Sequence, residues 1–158
     1  MKLSCIVEPT TTPITLDEAK SFCRILFDDE DATLGILIGA ATDYAQNATG
    51  RQLCEATYEL VTTQSPLILP KAPLKEIVSV QVGGIDLDYT LSWDVDVGII
   101  EFSSTEDVTI TYKAGYSTVP NALKAWMLNR VSIFILIIRT NIFQPKSLFV
   151  KLQLTLFR

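Results

Sequence analysis

The apolar residues of this chain repeat at two spacings, and the switch between them sets the fold class. Up to Thr49 they recur at three- and four-residue steps, the period of a helix. Between Ala56 and Gly115 short β-rich runs replace that pattern, and from Pro120 the helical period returns. The expected class is α+β: an N-terminal αα-hairpin and a third helix forming a small helical bundle, an inserted antiparallel β-region, and an extended C-terminal arm. In numbers, this predicts helices over about 15–26, 30–49 and 120–140 and a β-region over about 56–115. One domain would then occupy 1–145, with the arm at 146–158.

Local signals fix the helix starts. In "TPITLDEAK", Thr15 caps, Glu18 stands three residues on as its capping-box partner, and Asp17 and Glu18 favour the positive helix end. Leu16, Ala19, Phe22, Cys23 and Leu26 give the first helix its apolar face. "DDED", Asp28 to Asp31, opens the second, in which Leu34, Leu37, Ile38, Ala41, Tyr44, Ala45 and Ala48 recur until Gly50 stops it. Pro120 opens the third, with Leu123, Trp126, Met127, Val131, Phe134, Ile135 and Ile138 as its buried face.

In the β-region, "ATYELVTT" and "KEIVSVQV" read as strands, and "SPLILPKAP" as a short extended piece bounded by prolines. Gly83-Gly84 reads as a hairpin turn into "IDLDYTL", since paired glycines tolerate positive φ. "GIIEF" and "DVTITYKAG" supply two more strands.

A composition of 48% apolar and 20% charged residues is globular rather than disordered. The longest oily run, Val131 to Ile138, falls short of the roughly 20 residues a membrane span needs, so no membrane partner is expected. "MKLSCIVEPTTTP" has no sustained apolar core, which argues against a signal peptide. Cys5, Cys23 and Cys54 form no C-x-x-C pair and read as reduced cytosolic thiols.

Charge is split along the chain. Up to Ile110 there are 18 acidic and six basic residues, whereas from Thr111 on there are seven basic residues and no acid. Such polarity suits a protein whose two ends meet oppositely charged surfaces. A sequence pI near 4.7 opposes phosphate neutralisation, so sequence-specific nucleic-acid binding is not expected.

Catalytic chemistry is sparse. The absence of histidine removes Ser-His-Asp and Cys-His arrangements and the commonest general base. No phosphate-cradling glycine loop occurs, and "QVGGID" is better explained by a turn. "DDED", "DLD" (86–88) and "DVD" (94–96) hold clustered oxygens, yet none fits a calcium loop. For "DDED" the simpler reading is charge at a helix N-terminus. For the D-x-D pairs it is two carboxylates on one solvated strand face. No cofactor, metal or enzymatic activity is expected. The competing class is a small cytosolic peptide-binding module or a carboxylate- or Cys-dependent enzyme.

Three stretches together resemble the tailed-phage head–tail connector (adaptor) family. They are "ITLDEAKSFCRI" with "DDEDATLGILIGAATDYAQNATGRQL", then "LILPKAPLKEIVSVQV", then "VTITYKAGYSTVPNALKAWML", spanning about residues 14 to 130. The resemblance implies a structural virion protein of the neck, made in the host cytoplasm. It would be one subunit of a ring, twelve-fold to match a portal, placed beneath that portal. Such a ring prolongs the DNA channel, lets DNA pass without reading its sequence, and offers a platform to a tail-completion (stopper) or tail protein. After Arg130 the chain departs from the family pattern, being oily where members are often polar.

Two sets of site residues follow. In "KSLFVKLQLTLFR", Leu148, Val150, Leu152, Leu154 and Leu156 fall on one face of an extended strand. With Lys151 and Arg158 they make a candidate arm for β-augmentation onto the portal or a neighbouring subunit. Asp28, Asp29 and Asp31 are candidate channel-facing acids, since like-charged walls discourage DNA from sticking.

Overall fold

The computed structural model describes residues 1–140, and the expected arm at 146–158 lies outside the described residues. Among the described residues the class is α+β, with three helices and two antiparallel sheets. The chain divides into two compact units, one of Met1–Pro13 with Thr42–Leu123, the other of Ile14–Ala41 with the described residues from Lys124.

The first unit is built on sheets. Strands β1 (Lys2–Val7), β2 (Ala56–Thr62), β4 (Leu74–Val82), β5 (Ile85–Asp86) and β8 (Val108–Ala114) form a sheet in the order β1-β2-β8-β4-β5. A smaller sheet has the order β3-β7-β6, from β3 (Leu67–Ile68), β7 (Val97–Phe102) and β6 (Tyr89–Asp94). In β2 and β8, every second residue is buried and its neighbours are half-buried, the alternation of a strand with one face on a core. Tyr58, Leu60, Ile100, Val108, Ile110 and Tyr112 form the centre of that core.

β1 was not expected from the sequence. It is a largely exposed edge strand whose antiparallel register runs from Lys2↔Val61 to Val7↔Thr57, so its pairing partner lies fifty or more residues away. The Gly83-Gly84 turn forms as expected, with φ of 57° and 86° and Val82 paired to Ile85. "IDLDYTL" is two strands rather than one: β5 pairs with β4 in the larger sheet, continued by the Leu87 amide donating to the Val80 carbonyl, whereas β6 pairs with β7 in the smaller one. The D-x-D pairs therefore do not share strand faces. Asp88 lies between strands, and Asp94 and Asp96 flank Val95, which sits in the left-handed region at φ 58°.

The second unit is helical: α1 (Leu16–Cys23), most of α2 (Asp31–Thr49) and most of α3 (Asn121–Thr140). Thr15 and Glu18 make the expected reciprocal capping box. α1 ends at Cys23, not near residue 26, because Arg24 adopts the left-handed cap conformation and the Ile25 amide donates to Lys20. Leu26 thus leaves the expected apolar face and is 86% exposed, and Phe22 is exposed too.

The buried stripes are narrower than the apolar pattern. They comprise Leu34, Ile38, Ala41 and Ala45 on α2 and Met127, Val131 and Ile135 on α3. Tyr44, Phe134 and Ile138, expected inside, are exposed. By length and composition alone α3 is long and apolar enough to cross a membrane, a reading that the Val131–Ile138 run by itself had set aside.

Candidate interaction surfaces

In the first unit, the "TGRQL" and "AGY" stretches meet in one knot. Gly50, at φ 67°, turns the chain out of α2. The Arg51 guanidinium then forks onto the Asp96 carboxylate and donates to the Tyr116 hydroxyl at 2.9 Å. That pairing holds Asp96 below the usual carboxylate range and raises Arg51 further. The Gln52 side-chain oxygen accepts from the buried Tyr58 hydroxyl at 2.7 Å, while the Gln52 amide donates to Ala72. Burial pushes the Tyr58 hydroxyl up to about 12. The Leu53 amide donates to the Gln46 side chain at 3.2 Å, and the Leu53 side chain is fully buried. The Arg51, Gln52, Tyr58, Asp96 and Tyr116 side chains are thus paired internally, the pattern of an architectural fastening. Sequence reasoning treated these stretches as signatures only, since the Arg51–Asp96 pairing spans 45 residues.

In the second unit, the acidic turn is partly neutralised. Lys20 donates to Asp28 at 2.5 Å and to Asp31 at 2.8 Å. Its hydrogen bond lowers the Asp28 pKa, and both carboxylates raise that of Lys20. Asp31 is the first residue of α2, and its amide donates to Asp28. Asp29 is exposed and is not brought onto Lys20 with the other two. Two acids read from the sequence only as helix-start residues carry the long-range pairs. Glu30 takes the Arg139 guanidinium as a fork, and Glu18 takes Lys124 at 2.9 Å. Glu18 is held low first by the Thr15 amide and then by Lys124.

The surfaces left over suit contacts better than chemistry. Leu26 and Phe27 project at 86% and 74% exposure, beside a cleft of about 340 Å³ that also touches Arg24, Glu30 and Arg139. Ile133, Leu136 and Ile138 are exposed on α3, and Trp93 and Val95 stand out around the β6–β7 turn. Among the described residues no group of three His, Cys, Asp or Glu side chains could hold a metal ion. The three cysteines are free, and burial raises the Cys5 and Cys23 thiols, the opposite of an activated nucleophile. The arm residues Leu148, Val150, Lys151, Leu152, Leu154, Leu156 and Arg158 lie outside the described residues.

Residues 13–82 match the family model of phage gp6-like head–tail connector proteins. No curated protein matches the chain in sequence. Its fold is similar to that of a chain in the neck of an empty gene transfer agent (GTA) particle computed with C6 symmetry. There the TM-score is 0.71 at 19% identity, covering 85% of this chain and 84% of that one. A chain from the virion of the native gene transfer agent gives 0.72 at 18% identity, with coverages of 85% and 84%. One from the neck of the native particle computed with C12 symmetry gives 0.66 at 18%, with coverages of 85% and 83%.

Proposed function

We propose, from the gp6-like head–tail connector sequence carried by residues 13–82, that this chain is a structural neck subunit of a phage-like virion. Copies of it assemble into a ring, twelve-fold to match a portal, that joins the capsid vertex to the tail and extends the DNA channel. One observation carries the reading: the family match in sequence coincides with a fold likeness to particle neck and virion chains over 85% of the chain. The role is mechanical rather than enzymatic, and it needs no cofactor.

In this reading the three helices pack as a bundle in the body of the ring, and the exposed apolar residues of α3 and of the Leu26–Phe27 corner are covered on assembly. Residues 146–158 are an attachment segment that adds to a sheet edge of the portal or of a neighbouring subunit. Asp28, Asp29 and Asp31 face passing DNA, and a tail-completion protein docks on the far side. Direct imaging tests this: the purified protein, alone and with portal protein, should show closed rings in negative stain or vitreous ice. A protein that remains monomeric beside the portal at micromolar concentration would overturn it.

A further inference from the structure

The smaller sheet ends in an unusual edge. β6 pairs with β7 on one side, from Tyr89↔Phe102 to Asp94↔Val97, and among the described residues has no strand on the other. Along β6 the side chains alternate. Tyr89, Leu91 and Trp93 share one face, where Leu91 packs on the core while Tyr89 and Trp93 stay 42% and 51% exposed. Thr90, Ser92 and Asp94 share the other face, with Glu101 directly across from Thr90. Asp88, Asp94 and Glu101 are all exposed, and no ion pair among the described residues engages them. This edge therefore offers open backbone groups, an aromatic face and an acidic face. A bare edge of that kind is a template for another strand.

Residues 146–158 carry the complement. Leu148, Val150, Leu152, Leu154 and Leu156 alternate with Phe149, Lys151, Gln153, Thr155 and Phe157, and Lys146, Lys151 and Arg158 are unopposed by any acid. The two edges of the larger sheet fit worse: in β1 "KLSCIV" contains a lysine and no acid, and β5 is only two residues long.

We infer that residues 146–158 of a second copy add to β6 as a fourth strand of the smaller sheet. The leucine face continues the Tyr89-Leu91-Trp93 face, and Lys151 falls on the face that carries Asp94 and Glu101. The inference rests on the ring reading. In a ring each copy donates one segment and receives one, so the head-to-tail contact closes with every β6 edge paired.

Zero-length carbodiimide coupling tests it, because it joins a lysine amine to a carboxylate only where the two already touch. Light- and heavy-nitrogen copies of the full-length protein are mixed while dissociated, assembled, coupled and analysed by mass spectrometry. The expected product links Lys151 to Asp88, Asp94 or Glu101, with mixed-isotope pairs as abundant as same-isotope pairs. Same-isotope pairs alone would mean that the segment folds back on its own chain, and would overturn the inference. Assembled rings in which Lys151 couples to none of these acids, or only to the portal, would overturn it and leave the ring reading standing. Protein that neither assembles nor yields mixed pairs would overturn both.

Discussion

Gly115 has less room for a side chain than any other glycine apart from Gly98, and unlike Gly98 it faces backbone. Its φ of 125° is one that side-chain-bearing residues rarely adopt, and an added Cβ would meet the Cys54 carbonyl oxygen at 2.5 Å and the Glu55 nitrogen at 2.8 Å. The atoms in the way are main chain and cannot swing aside. Gly115→Ala should therefore cost about 1–3 kcal/mol of stability, read as a lower midpoint in urea unfolding with an unchanged slope. A wild-type midpoint would refute the close approach. At this scale the sequence was legible only where partners were near neighbours. Thr15 and Glu18, three residues apart, were read correctly as a capping box. Gly115 against Cys54 and Arg51 on Asp96 depend on strand pairing across many residues, and no local pattern announces them.

Among elements, α1 shows how much a short helix owes to its first turn. It has eight residues and one buried side chain, Ala19, so packing contributes little and the cap contributes proportionately more. Thr15→Ala removes the acceptor for the Glu18 amide and should cost about 1 kcal/mol. That corresponds to a fall of roughly 2–4 °C in melting temperature for a chain of this size. An unchanged melting curve would show that α1 is held by its neighbours alone. Helix starts and the glycine hairpin were legible because caps and tight turns are encoded within four residues. The end of α1 was not, since a left-handed arginine replaces the glycine that usually marks such a stop. β1 escaped notice because an exposed six-residue edge strand has no strong apolar alternation. The width of the α3 stripe was overread, because an oily helix gives no sequence sign of which apolar residues are left outside.

For the whole molecule, the pattern of ion pairs sets the response to acid. Glu18, Asp28, Glu30, Glu55 and Asp96 all have folded-state pKa values below their ordinary ones, mainly through hydrogen bonds to Lys or Arg or, for Glu18, to the Thr15 amide. Depressed carboxylates stabilise the fold at neutral pH, and that contribution drains away as pH falls below about 4 and through the folded-state values. Melting temperature should thus decline steeply on the acid side, and less steeply in high salt, which already weakens these exposed pairs. A flat profile from neutral to strongly acid solution would contradict the assignment. The charge split was legible from the sequence, but which acid answers which base was not, since Glu18–Lys124 and Glu30–Arg139 join residues more than a hundred positions apart. The Arg51–Tyr116 hydrogen bond has a further implication. It brings together two points 65 residues apart, so the chain departs on its β excursion and returns to the same place. Such an excursion can lengthen or shorten at its outer turns, Gly83-Gly84 or Val95, while its point of return stays fixed. Doubling a flexible loop costs only about 0.6 kcal/mol, so length drift at those tips is nearly free to evolution.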